Sequence, residues 1–278
     1  MPDTALEVTG LWFWYDDEDD PALRGLDLAI PQGQFVTLVG ANGSGKTTLV
    51  KHFNGLLRPR RGKVRVAGVE TAGRSVGELA RKVGYLFQHP EQQIFGATVR
   101  QELAFGPRNL GLARTEVEAR VEAALARFDL LTVADRPPAI LSYGLRRRVT
   151  LASLAAMDPP VLVLDEPMVG LDAPGLCETF SWLVELHAHG RTILVVTHDM
   201  ALAAEYADRI VVLHEGQIIG DGRPADIFEE TDLLARASLT LPPLVALTQA
   251  LRPYGLRGDA LTLDAFCERF LALAEART

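Results

Sequence analysis

The sequence predicts an α/β protein: a largely parallel open sheet interrupted by a helical insertion, with a small antiparallel β unit near the N-terminus and a short helical tail. Three observations predict it. Val161-Leu162-Val163-Leu164 runs straight into Asp165-Glu166. Such an unbroken apolar run reads as a parallel strand buried on both faces, delivering two carboxylates to its carboxyl end, where open α/β sheets bind ligands. Residues 34–39 form a second strand, running directly into the glycine-rich turn at Gly40. Between the two, over about residues 88–157, the apolar spacing becomes helical.

In chain order, residues 6–15 are rich in Trp, Phe and Tyr and predict a strand, residues 16–20 an acidic loop, and residues 26–30 an alternating edge strand. After the turn at Gly40, a helix is expected over about residues 47–57. Val64-Arg65-Val66 with the Ala67-Gly68 turn predicts a small antiparallel hairpin, and residues 83–87 a strand ending at Gln88. Thr98 with Gln101, and Thr115 with Glu118, read as capping boxes. Val117, Val121, Ala124, Leu125 and Phe128 keep one helical face apolar. Pro137-Pro138 precedes a helix starting near Ser142. Strands return at residues 161–164, 192–196 and 210–213, with a helix from about 174 to 188 that ends at Gly190. Beyond Glu230 the periodicity is helical again.

The 278 residues are 48% hydrophobic, enough for one large or two small domains with their own cores. A formal charge of -8 argues against a nucleic-acid partner, which would need clustered Lys and Arg. Arg58, Arg60 and Arg61, like Arg146, Arg147 and Arg148, are short runs that read as solvated faces. His52, His89, His187, His189 and His214 read as surface residues without a metal role. Cys177 and Cys267 stand in no metal or redox spacing, which predicts a reduced, cytosolic protein. The first residues carry neither a charged n-region nor an apolar h-region, and no apolar run approaches the ~20 residues of a membrane span. Any membrane role is therefore expected to come through a partner.

Gly40-Ala41-Asn42-Gly43-Ser44-Gly45-Lys46-Thr47-Thr48 fits the phosphate-loop pattern G-x-x-x-x-G-K-[ST], placed between a strand and a helix as that pattern requires. Its glycines let the backbone curl so that N–H groups face the phosphates. Lys46 is then expected on the β- and γ-phosphates, Thr47 on Mg²⁺, and the positive end of the helix behind them. Of Asp165 and Glu166, one can hold a metal ion and the other orient a water. In Leu141-Ser142-Tyr143-Gly144, Ser142 and Gly144 offer hydroxyl and amide donors to an anion at a helix start. The phosphate loop alone does not separate a transport ATPase from a kinase or a GTPase.

With these motifs in this order, the chain resembles the ATP-binding subunits of ABC transporters over about residues 6–230. The resemblance implies a P-loop NTPase (RecA-like) core with an antiparallel β subdomain and a helical subdomain at about 88–157. It makes residues 1–230 the cassette and residues 231–278 a C-terminal extension that helps two ATPases pair. It implies that Asp165 holds Mg²⁺, that Glu166 polarises the attacking water, and that His198 contacts the γ-phosphate. It places Gln88 as a sensor of Mg²⁺ and water, Tyr15 stacked on adenine, and Ser142, Gly144 and Asp172 in the site of the opposite subunit. The chain departs from the family's Leu-Ser-Gly-Gly-Gln at Tyr143 and Leu145, and has Met168-Val169 after the Glu-Pro. Those departures predict turnover that is slow or depends on a partner.

The stretch Tyr85-Leu86-Phe87-Gln88-His89-Pro90-Glu91-Gln92-Gln93-Ile94-Phe95, followed by Thr98-Val99 and Ala104-Phe105-Gly106-Pro107, resembles the energy-coupling factor branch, importers of cobalt, nickel or vitamins. That likeness implies a groove near Gln88–Phe95 for the coupling helices of an integral-membrane subunit. It also implies a second ATPase subunit, identical or related, and a peripheral place on the cytoplasmic face of the membrane. Tyr143 with Ala156-Met157 is similar to cobalt-type members, and Leu241-Pro242-Pro243-Leu244 to the branch's C-terminal extension. The alternative is a low-activity regulatory subunit or a non-transport ABC ATPase.

Overall fold

Largely apolar strands can be satisfied only where both faces are covered, and five such strands build the centre of the molecule. The computed structural model describes residues 3–16, 20–256 and 258–275. The acidic loop expected at 16–20 therefore lies largely outside the described residues. The first strands, β1 (Thr4–Phe13), β2 (Leu23–Pro31), β4 (Arg61–Val66) and β5 (Val69–Glu70), form a four-stranded antiparallel sheet in the order β2-β1-β4-β5. The predicted edge strand and the hairpin at the Ala67-Gly68 turn both lie in it.

The second sheet has six strands in the order β10-β9-β3-β8-β7-β6. It contains β3 (Phe35–Val39), β6 (Val83–Leu86), β7 (Val161–Asp165), β8 (Thr192–Val196), β9 (Arg209–His214) and β10 (Gln217–Gly222). Five of these run parallel, and β10 returns antiparallel beside β9. Every residue of β3, β7 and β8 is buried, which is what their unbroken apolar sequences require. All three end at the same edge, so the segments after Val39, Asp165 and Val196 meet.

Helices cover both faces. Behind the phosphate loop stands α1 (Lys46–Phe53), shorter than the helix expected to Leu57, and α2 (Val76–Leu79) is a single turn with a complete capping box between Ser75 and Glu78. The insertion consists of α3 (Val99–Asn109), α4 (Arg114–Arg127) and α5 (Tyr143–Met157). Thr98 caps α3 as expected, accepting from the Gln101 amide. Thr115 does not cap α4: the helix already begins at Arg114, and Glu118 pairs with Arg114 at 2.7 Å instead of reaching the backbone. Val117, Val121, Ala124, Leu125 and Phe128 are buried in one apolar cluster with Leu103, Val149 and Trp182. The remaining helices are α6 (Ala173–Ala188), α7 (Met200–Tyr206), α8 (Pro224–Glu229), α9 (Thr231–Arg236), α10 (Pro243–Leu251) and α11 (Leu263–Glu275).

The tail is not uniform. Leu233, Leu234, Ala237, Leu239 and Val245 pack with Val39, Met200, Ile210 and Phe228 of the main sheet region, and Arg252 pairs with Glu229. By contrast α11 buries none of its residues and leaves Leu263, Phe270 and Leu271 exposed. Among the described residues no helix is long and apolar enough to cross a membrane.

Two surface readings are corrected by the packing. His52 is fully buried, its Nδ1 2.8 Å from the Thr48 carbonyl and its ring edge-on to Phe13, and burial holds its pKa below the usual histidine value. Arg147 is likewise fully buried, and Arg148 keeps only 13% of its side chain exposed while pairing with Asp172 and Glu178. The triple-arginine run is thus not a solvated face.

Candidate nucleotide site

The site forms where β3 ends. Gly40 has φ 153°, and a Cβ there would lie 2.1 Å from the Leu213 carbonyl oxygen, so only glycine lets the chain leave the strand at this angle. Gly45 is left-handed at the start of α1, where a Cβ would come within 2.8 Å of the Ala22 carbonyl. The loop between them curls back on itself through Ser44 N–H to the Ala41 carbonyl at 3.2 Å. The Ser44 hydroxyl is buried with no hydrogen-bond partner, a donor already desolvated inside the loop. Lys46 is buried and its ammonium donates to the Gly40 and Ala41 carbonyls at 2.8 and 2.9 Å. Burial lowers its pKa, opposed by the negative charges of Glu166 and Asp165.

The strand β7 delivers the two carboxylates, as its sequence predicts, but to different neighbours. Asp165 is buried and accepts from the Thr47 hydroxyl at 2.8 Å and from the Tyr85 hydroxyl at 3.4 Å. Desolvation raises its pKa, and the hydrogen bond from Thr47 partly offsets this. A hydroxyl and a carboxylate side by side are hard oxygen donors of the kind Mg²⁺ takes together with phosphate oxygens, and a cation there would remove the cost of the buried charge. The residues present therefore fit Mg²⁺.

Glu166 turns away from the sheet with φ 47°, a left-handed conformation that non-glycine residues hold only under constraint. Its amide donates to the Val196 carbonyl at 2.9 Å. Its carboxylate meets His198 Nδ1 at 2.8 Å and the Thr197 hydroxyl at 3.4 Å, so β8 supplies the groups that aim it. His198 itself is largely exposed, with 69% of its side chain accessible.

Two adjoining cavities of about 470 Å³ each result. The first is lined by Tyr15, Asn42, Gly43, Gly45, Lys46, Thr47, Thr48, Gln88, Asp165 and Glu166. The second shares Asn42, Gln88 and Glu166 and adds Gly40, Ala41 and His198. The structure thus gathers almost every expected cis residue into one depression. Tyr15 stands at its rim, half exposed, with its hydroxyl 3.0 Å from Thr48 Oγ1 and its ring edge-on to Phe13. The neighbouring Trp14 does not line the cavity and instead carries the Arg60 guanidinium 5.8 Å from its ring centre.

Ser142, Gly144 and Asp172, the residues expected in the site of the opposite subunit, lie apart. Ser142 caps α5 by accepting from the Leu145 amide at 3.3 Å, and neither it nor Gly144 lines either cavity. Asp172 caps α6 through Gly175 and accepts from Arg148 at 2.9 Å, which holds its carboxyl below the usual range. The Tyr143 ring packs on Gly170, in the turn after the two acids.

Sequence reasoning missed three contributors. Tyr85 supports Asp165, and its inward place on an all-buried strand of mixed polarity was the available signal. Arg147 reaches the backbone of Glu166 and Phe87. Ser238, Leu239 and Thr240 line the second cavity, brought there by tertiary packing that no local pattern announces.

An open sheet whose strand ends carry a curled phosphate loop, a buried lysine and two carboxylates defines a phosphate-loop nucleotide-binding protein. The ABC transporter family profile matches residues 23–169. Over 248 residues the chain is 40% identical to the energy-coupling factor transporter ATP-binding protein EcfA of Methanocaldococcus jannaschii, covering 88% of each chain. Among solved structures, cbiO1 from Clostridium perfringens, part of the ABC transporter complex cbiONQ, is 35% identical with a TM-score of 0.72, over 89% of this chain and 99% of that one. A dimeric ATP-binding cassette in a post-hydrolysis state, bound to ADP and Pi, is 26% identical with a TM-score of 0.71, over 79% of this chain and 98% of the other. The chain belongs to the ABC transporter family, as an ATP-binding, ATP-hydrolysing subunit.

Proposed function

We propose that this chain powers an importer of the energy-coupling factor type, carrying cobalt, nickel or a vitamin, as a peripheral subunit on the cytoplasmic face of the membrane. The observation that carries the reading is the position of Gln88. It lines both nucleotide cavities and begins the segment that leads, within seven residues, to an exposed apolar groove. The names of the relatives support the same branch.

ATP sits with its adenine against Tyr15 and its phosphates in the loop 40–48, held by backbone N–H groups, the Ser44 hydroxyl, Lys46 and Thr48. Mg²⁺, when bound, would neutralise the β- and γ-phosphate oxygens, held by Thr47, Asp165 and Gln88. Glu166 accepts a hydrogen bond from the attacking water and takes its proton as the water oxygen bonds to the γ-phosphorus; the bond to the ADP oxygen breaks as the new one forms, and the proton leaves with the phosphate. His198 and Thr197 fix the Glu166 carboxylate, and His198 meets the γ-phosphate. Ser142, Gly144 and Asp172 complete the site of a second ATPase subunit, which agrees with their place outside the chain's own cavities. The cassette is residues 1–230, with its helical subdomain at about 88–157. The extension 231–278 pairs the subunits, where Leu263, Phe270 and Leu271 of α11 await a partner.

Tyr15→Ala should weaken ATP binding by the ~1–3 kcal/mol typical of a base stacked on an aromatic ring. Titration with a fluorescent ATP analogue checks this, and unchanged affinity would move the adenine contact elsewhere.

The membrane subunit docks in the groove lined by Ile94, Phe95, Pro137, Pro138 and Arg146. Phe95 is 78% exposed there, while buried Glu102 anchors its loop by accepting from the Phe95 and Gly96 amides at 2.8 and 2.6 Å. Changing Gln92 and Phe95 together to Ala should retain the melting curve and ATP affinity of the isolated chain but reduce pull-down of the membrane subunit and uptake in reconstituted vesicles. Normal assembly and uptake would place the docking surface elsewhere. The Tyr143 and Leu145 departures favour one second reading, a low-activity regulatory subunit. Mg-ATP turnover that stays negligible even with the membrane subunit bound would support that reading instead.

A further inference from the structure

Arg147 is the largest side chain among the fully buried ones, and it lies in the second turn of α5. A guanidinium cannot lose its charge, so its burial needs acceptors in defined places. Two are main-chain carbonyls. Nη1 donates to the Phe87 carbonyl at 2.6 Å, and Nη2 donates to the Glu166 carbonyl. Both carbonyls lie at the open end of the sheet. The β6–β7 ladder pairs residues as far as Leu86 with Leu164, and beyond that rung no ladder pair joins the two chains. Arg147 bridges them there. On one side it holds the peptide just before Gln88, on the other the carbonyl of Glu166 itself.

The Glu166 backbone makes this contact consequential. Its φ of 47° turns the carbonyl away from the sheet, and the conformation persists only where its surroundings fix it. The amide is fixed by Val196, and the carbonyl accepts from Arg147 and, more weakly at 3.3 Å, from the Val169 amide in the turn that follows. Hydrogen bonds from a charged donor are roughly twice as strong as neutral ones, and the planar fork addresses two acceptors at once, which a lysine ammonium on a flexible stem does not.

We propose that Arg147 is a positioning residue: its guanidinium locks the Gln88 loop to the Glu166 backbone, so that both side chains face the same reacting point and move together. The inference rests on the roles proposed above for Glu166 and Gln88. It adds that α5, which Ser142 caps, has a direct mechanical hold on the water-orienting acid.

The test uses the full chain with Mg-ATP and two variants, Arg147→Lys and Arg147→Gln. Both should retain a cooperative melting transition. Each should lower kcat by about 10- to 100-fold, as expected for a small misplacement of a reacting group, with KM and ATP affinity changed by less than about threefold. Hydrogen exchange should become faster in residues 87–93 and 166–171 together, while residues 40–50 stay protected. A role in folding alone would lower stability without this split between kcat and KM. The proposal is overturned if a folded variant keeps the wild-type kcat, if only one of the two segments loosens, or if neither variant folds. Wild-type hydrolysis by Glu166→Gln would instead remove the role of Glu166, and the paired exchange of the two segments would still report whether Arg147 couples them.

Discussion

Glu166→Gln should reduce ATP hydrolysis by about 10²–10⁴-fold, the range associated with loss of a positioned general base, while leaving ATP binding intact. The geometry makes the substitution unusually clean. The backbone of Glu166 is held by its own amide to Val196 and by the Arg147 and Val169 donors to its carbonyl, so the side chain does not determine the turn. The amide oxygen of Gln can still accept from Thr197, and its amide nitrogen can face His198 Nδ1 where the carboxylate oxygen stood. What disappears is the negative charge proposed to orient the water. If, as proposed, two such subunits pair on ATP and hydrolysis reopens the pair, the variant should accumulate as an ATP-loaded dimer. Phosphate release measures the first effect, and size-exclusion chromatography with and without ATP the second. Wild-type turnover would remove Glu166 from its assigned role.

Legibility varied with how local the determining physics was. The parallel strands were readable because burial on both faces forces a continuous apolar sequence, as in Val161–Asp165 and Thr192–Val196. The phosphate loop was readable because its backbone needs glycine at Gly40 and Gly45 for steric reasons written into the sequence. By contrast β10, with its Gly220 and Gly222, lacks a strand signature and exists because β9 offers it an edge. The arginine run misled because three adjacent charges suggest a solvated surface. Helical spacing carried the missing information: Arg147, Thr150, Leu151 and Leu154 are all buried on one face of α5, which assigns Arg147 inward. The same holds for His52, buried on α1 beside Leu49 and Phe53. The reach of Ser238–Thr240 into the second cavity depends on where α9 packs, and nothing local encodes it.

Lys46→Ala should act on binding rather than on chemistry. In the chain alone, the ammonium is held by the Gly40 and Ala41 carbonyls, inside the loop that is to receive phosphate. Burial lowers its pKa while Glu166 and Asp165 oppose that, and its two carbonyl acceptors orient the group before the nucleotide arrives. An oriented, partly desolvated cation meeting phosphate oxygens makes charge-assisted hydrogen bonds of about 1.5–3 kcal/mol, which corresponds to a loss of roughly 10- to 150-fold in ATP affinity. Removing it also takes away a positive charge that interacts with Asp165 and Glu166, so phosphate meets the two carboxylates with less opposing charge beside them. The loss should grow with the number of phosphates contacted, being largest for ATP, smaller for ADP and least for AMP. Lys46→Arg should not rescue it, because a planar fork replaces a compact ammonium between two carbonyls. Calorimetric titration of the three nucleotides decides the matter. Equal affinities of wild type and Lys46→Ala for ATP would place the β- and γ-phosphates away from this side chain.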